Sequence, residues 1–254
     1  MQFYFNNYNT PGVVPETKAQ NVLQIEAGYK FKTAMVTGSI IPFYSKLSNI
    51  PVSSIGQDTT NFSYFTPVVF NELNTFGVEA EANIAFTKNF SVRAGLTAQS
   101  SKATTWQSWV MGANGKQDDM LVNNNGNTAE NVPALMFSVV PTYSFKKGYV
   151  FVAGKYMGKR EANMSNAFTL PGFLETNFGA GYNITSKLSV SANINNLFNT
   201  FGVMNWSATT ENSLIDGFSH DSFTPEKRAA NPNSIYSVLA IQPRAYFVSV
   251  TYRF

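Results

Sequence analysis

Thr75-Phe76-Gly77-Val78-Glu79-Ala80-Glu81-Ala82-Asn83-Ile84-Ala85-Phe86 is the stretch on which the fold turns. Phe76, Val78, Ala80, Ala82, Ile84 and Phe86 alternate with Thr75, Gly77, Glu79, Glu81, Asn83 and Ala85, so a strand here has one apolar and one polar face. The next window repeats the pattern, with Phe90, Val92, Ala94, Leu96 and Ala98 set against Ser91, Arg93, Gly95, Thr97 and Gln99. Further apolar rows are Leu23 to Phe31, Leu135 to Phe145, Leu174 to Ile184, Leu188 to Ile194 and Tyr246 to Phe254, with Phe247 out of phase in the last. Windows at about 35–45 and 149–158 are strand-like without a clear phase. Together these predict nine strands.

The connections separate the candidate architectures. Phe31 to Met35, Phe86 to Phe90, Phe145 to Tyr149 and Ile184 to Leu188 each place three residues between two apolar ones, and Lys lies in every turn. A spacing of four keeps both apolar rows on one side of a hairpin. Long polar segments at roughly 46–73, 102–132, 159–170 and 199–242 form the other connections. Short turns therefore collect at one end of the sheet and long loops at the other.

Composition narrows the solvent. Charged residues make up 13% of the 254 residues and aromatic ones 15%, whereas an ordinary soluble domain is about 25% charged. Many aromatics and few charges exclude a disordered chain. No run approaches the ~20 apolar residues of a membrane helix. Cysteine is absent and the net charge is +3, which points to neither a disulfide framework nor nucleic acid. The face opposite the apolar rows carries Glu79, Glu81, Arg93 and Arg253, and such a face suits water. A greasy exterior, a polar lumen, strands of ~9–11 residues and unequal ends describe an antiparallel transmembrane β-barrel. Aromatics beside the short turns, among them Phe31, Phe86, Phe145, Tyr149 and Tyr252, are placed for an interfacial girdle.

Near the carboxyl end stand Ile194-Asn195-Asn196-Leu197-Phe198-Asn199 and, after a long loop, Pro243-Arg244-Ala245-Tyr246 running to Phe254. These resemble the last two strands of a TonB-dependent outer-membrane receptor. Pro15-Glu16-Thr17-Lys18 before Leu23-Gln24-Ile25-Glu26-Ala27-Gly28-Tyr29-Lys30, and Thr75 to Glu81, are similar to two upstream strands of that family. The resemblance implies that residues 1–254 are the C-terminal part of a barrel of about 22 strands, because nothing in them resembles the plug, the TonB-binding segment or a signal peptide. An odd strand count agrees, since bacterial single-chain barrels are even. Met1 is then expected to be an internal or artificial start.

The resemblance also implies location and partners: outer-membrane lipid, the family's plug and TonB energy-transducing complex, the barrel assembly machinery and a scarce nutrient, a ferric siderophore first. The final strand, with Tyr246, Val248, Val250, Tyr252 and Phe254, would be read by the assembly machinery. Glu79, Glu81, Arg93 and Arg253 would face lumen and plug. Loop aromatics Tyr64, Trp106, Trp109, Trp206 and Phe218, with His220, offer flat faces for a ligand, unless they pack loop against loop. Lys159 and Arg160 would attract an anionic one.

No catalytic residue, metal site or cofactor is expected. Ser219-His220-Asp221 are adjacent in sequence, whereas a triad is a spatial constellation. Asp118-Asp119 with Glu130 lacks ligand spacing. Two other readings stay open, a self-contained pore or outer-membrane enzyme of about ten strands and a soluble all-β binding protein.

Overall fold

The computed structural model describes residues 18–52, 55–57, 63–65, 68–110, 120–208, 223–230, 232–233 and 236–254. In chain order the first elements are β1 (Asn21–Glu26), β2 (Tyr29–Lys32), β3 (Val36–Val52), β4 (Ile55–Gln57), β5 (Ser63–Phe65), β6 (Val69–Ala85), β7 (Phe90–Thr105), β8 (Gln107–Val110) and β9 (Met120–Asn123). Next come β10 (Leu135–Phe145), β11 (Gly148–Met157), β12 (Arg160–Glu161), β13 (Thr169–Leu170), β14 (Phe173–Asn183) and β15 (Leu188–Asn195). The last are β16 (Val203–Ala208), a helical turn-and-a-half α1 (Pro225–Ala230), β17 (Tyr236–Ala240) and β18 (Ala245–Tyr252).

One antiparallel sheet runs β1-β3-β6-β7-β10-β11-β14-β15-β18, with β2 also paired to β3. β1 and β2 are two halves of one wall strand. Glu26 pairs with Phe43 and Tyr29 with Ile40, so Ala27 and Gly28 fall opposite Pro42 and Ile41. Pro42 has no N–H to give the ladder, and the ladder breaks there. Counted this way the wall has nine strands among the described residues, as the alternation predicts.

Register joins the apolar rows side by side. Pro42 pairs with Val78 and Val78 with Ala98; Ile40 pairs with Ala80, Ala80 with Leu96 and Leu96 with Phe137. At the far edge Val190 meets Val250 and Leu188 meets Tyr252. This face is open: Phe76 is 63% exposed and Val248 74%. On the other face Glu79 lies between Ile41 and Thr97, Glu81 between Ser39 and Gly95, and Lys155 between Ser138 and Glu175. The fold is thus an open segment of an antiparallel transmembrane barrel wall.

Two turns depart from the spacing of four. Phe145 pairs with Gly148 across Lys146-Lys147, so Tyr149 pairs with Ser144 and joins the polar face instead of the girdle. There its ring covers Gly181, where an added Cβ would lie 2.5 Å from Tyr149 Cε1. In the first hairpin Val36, not Met35, opens the strand, because Thr33 N–H donates to Val36 O at 2.7 Å. Phe86 to Phe90 and Ile184 to Leu188 keep the expected register, each turn closed by a Thr hydroxyl that accepts from the backbone N–H three residues on.

The strands are also longer than the alternating windows. β3 and β6 have 17 residues each, well beyond the ~9–11 that span hydrocarbon, and they continue upward into the loop end. Among the described residues the buried clusters lie at that end, around Trp106 with Ala103, Ala129 and Met164, and around Trp206 with Ala162, Leu170 and Val203.

Candidate functional site

The loop end is built from small hairpins, β4–β5, β8–β9, β12–β13 and β16–β17, each on its own long connection. Asparagine side chains tie them to the wall and to each other. An amide carries a donor and an acceptor side by side, so it mimics one rung of a ladder where no strand is available. Asn71 of β6, fully buried, donates from Nδ2 to Gln107 O at 2.9 Å and accepts from Gln107 N–H at 2.8 Å. Asn166, at φ 52°, clamps Thr128 in the same way at 2.8 and 2.9 Å. Asn127 Nδ2 donates to Met164 O, and Asn163 Nδ2 donates to Phe223 O. Three successive loops are thereby locked into one cap.

The carboxyl-terminal motif has a similar purpose. Asn196 is 1% exposed; its Oδ1 accepts from Thr200 N–H, and its Nδ2 donates to Thr200 O and Gln242 O. Asn199 Oδ1 accepts from Arg244 N–H, and Arg244 Nη1 donates to Leu197 O. The turn after β15 and the Pro-Arg opening of β18 thus clasp one another.

These contacts decide where the loop candidates go. Trp206 is 3% exposed; its indole N–H donates to Ala162 O at 2.7 Å and its ring meets Phe168 edge-on at 4.6 Å. Trp106 is buried and donates to Ser108 Oγ. Arg160 is buried too, with Nη2 donating to Val203 O and Met204 O, and burial lowers its pKa from the ordinary value. All three ligand-contact candidates thus make these contacts with loop neighbours. Lys159 is exposed beside them. The side chains of Tyr64 and Trp109 lie outside the described residues, as do Phe218, His220 and Asp118-Asp119. Among the described residues no cluster of His, Asp or Glu is arranged to hold a metal ion.

Below the cap, the polar face carries a cleft of about 510 Å³ lined by Glu79, Glu81, Lys155, Glu175, Phe173 and Met204. Met204 belongs to the cap hairpin β16, so the cleft spans wall and cap. Nearer the short turns, Arg93 Nε donates to Asn83 Oδ1 at 3.4 Å, and Arg253 lies beside Lys187. Such a surface offers charge and shape for binding.

An open antiparallel wall with one face for lipid, one for water and a packed cap at one end defines a class, the transmembrane β-barrels. A family model described as "TonB dependent receptor-like, beta-barrel" matches residues 1–197, and the chain belongs to that family. Solved structures share the fold at low identity. The ferric yersiniabactin uptake receptor FyuA from Yersinia pestis superposes with a TM-score of 0.65 at 13% identity over 96% of this chain and 32% of its own. The copper transporter OprC gives 0.63 at 14% over 93% and 32%. The siderophore receptor PiuA from Acinetobacter baumannii gives 0.62 at 18% over 92% and 28%. The chain thus spans about a third or less of the length of these structures. No curated protein matches it in sequence.

Proposed function

We propose that this chain is wall and cap of an outer-membrane, TonB-dependent receptor that takes up a scarce nutrient, a ferric siderophore being the first candidate. The observation that carries the reading is the sorting of the sheet: β6 and β7 turn Phe76, Val78, Ala80, Leu96 and Ala98 to the open face and Glu79, Glu81, Arg93 and Gln99 to the other. Hydrocarbon on one side and water on the other is the environment that such a sheet fits. Uptake then divides by region. The cap and the cleft beneath it meet the ligand, with Lys159, Glu79, Glu81 and Lys155 as its charged groups. The polar face, down to Arg93 and Arg253, meets a plug that the energy-transducing complex pulls. Residues 1–254 form the C-terminal part of a larger barrel, and Tyr246 to Phe254 present the final strand to the assembly machinery.

Binding of ferric siderophores, cobalamin and oligosaccharides to the mature protein in detergent tests the ligand class. A ferric siderophore held in the micromolar range or tighter, weakened by Glu79→Gln with Lys155→Gln, is the expected result. Exclusive binding of a metal-free ligand would replace the siderophore in this reading. A mature protein that stays monodisperse without detergent would overturn it altogether.

A further inference from the structure

Charge is distributed unevenly along the barrel axis. The segments 27–37, 82–92, 141–151, 181–191 and 250–254, which make up the short-turn end, contain none of the chain's 15 Asp and Glu. They do contain Lys30, Lys32, Lys88, Lys146, Lys147, Lys187 and Arg253, all exposed. On the apolar face at the same level runs an aromatic collar, with Phe86 against Phe90 at 5.6 Å and Phe145 against Tyr182 at 6.3 Å. Lys187 and Arg253 line one polar cleft of about 240 Å³ with Asn183, Thr185 and Ser189. Arg253 there belongs to the polar face with Asn183 and Ser189, whereas Lys88, Lys146, Lys147 and Lys187 stand in the turns themselves.

We propose that this rim is a binding surface for the phosphate headgroups of anionic phospholipids, which the turn lysines Lys88, Lys146, Lys147 and Lys187 would meet. The inference rests on the membrane-barrel reading above. Aromatic rings at a membrane–water interface mark the depth of the headgroups, and the cations here share that depth. Basic groups there attract anionic lipid by several-fold per charge at low salt, and the attraction fades within a Debye length. An acidic soluble protein would gain nothing from the collar, which favours lipid as the occupant.

Fluorescent phosphatidylglycerol and phosphatidylcholine are titrated into the delipidated mature protein in detergent, at low and at high salt. Phosphatidylglycerol is expected to bind roughly tenfold tighter or better, with the preference lost at high salt. Replacing Lys88, Lys146, Lys147 and Lys187 by Gln should abolish the preference, Lys→Arg variants should retain it, and heat-modifiable gel migration checks that every variant is folded. Equal binding of the two lipids, an unchanged preference in the Gln variant, or displacement of phosphatidylglycerol by a polyglutamate peptide would each overturn the proposal. Failure of the barrel reading is distinct, since that protein would need no detergent.

Discussion

Wall and cap handle large apolar side chains in opposite ways. Phe76, Tyr246 and Val248 of the wall stand 63%, 66% and 74% exposed, whereas Trp206 and Met164 of the cap are 3% and 2% exposed. The wall is held by its backbone ladder and needs hydrocarbon to cover its side chains. The cap supplies its own cover, as a soluble domain does, with aromatic clusters and amide clamps. Both regions are rich in the same residue types, so environment, not composition, assigns their roles.

Trp206→Ala should have the largest effect and confine it to the cap. It deletes a ring packed on Phe168, Phe223 and Tyr236 and leaves Ala162 O without its donor, a loss of about 3–5 kcal/mol. Hydrogen exchange should rise in β12, β13 and β16, with the β6–β7 ladder still protected. A melted wall would show that the two regions are one cooperative unit.

Ala80→Arg probes the opposite case. It puts a charge in the middle of the apolar row between Ile40 and Leu96, at about 2–4 kcal/mol in a bilayer. Thr97→Arg, one strand away on the polar face, should be near neutral. The fraction inserted into vesicles should separate the two, and equal yields would break the assignment of faces.

Asn166→Ala removes one clamp. Thr128 would keep an unpaired N–H and C=O, costing about 1–3 kcal/mol, and protease nicking between 125 and 170 should speed up while the wall is unchanged. The smallest effect is pH-dependent. A side-chain hydrogen bond from Thr224, then the backbone of Glu226, lowers the Glu226 pKa. With the folded value depressed, its contribution is present above the unfolded pKa and fades as pH falls through the folded one. Amides of α1 should therefore exchange faster in acid, and Glu226→Gln should remove that dependence.

The wall was legible because alternation is local. Thr75 to Phe86 declares both of its faces without reference to any other segment. Register at Tyr149 was not legible, since apolar spacing does not distinguish a turn of two residues from one of three. The cap was hidden for a different reason. Its deciding contacts join residues far apart, Asn163 with Phe223 and Arg160 with Val203, and Asn residues in polar segments look like turn punctuation. Trp106, Trp206 and Arg160 have the chemistry of a ligand contact, and only the fold says that their partners are intramolecular. Exposure, more than residue type, was the missing information.

The clamp between Asn163 and Phe223 also sets an order of events. One partner follows β12 and the other precedes α1, so β14 and β15 lie between them in the chain. Contacts across such separations form late, after the intervening chain is placed. The roof over this wall therefore closes only after β14 and β15 are in place. A chain stalled before Phe223 is placed would carry an unclosed roof, and with it an accessible protease target.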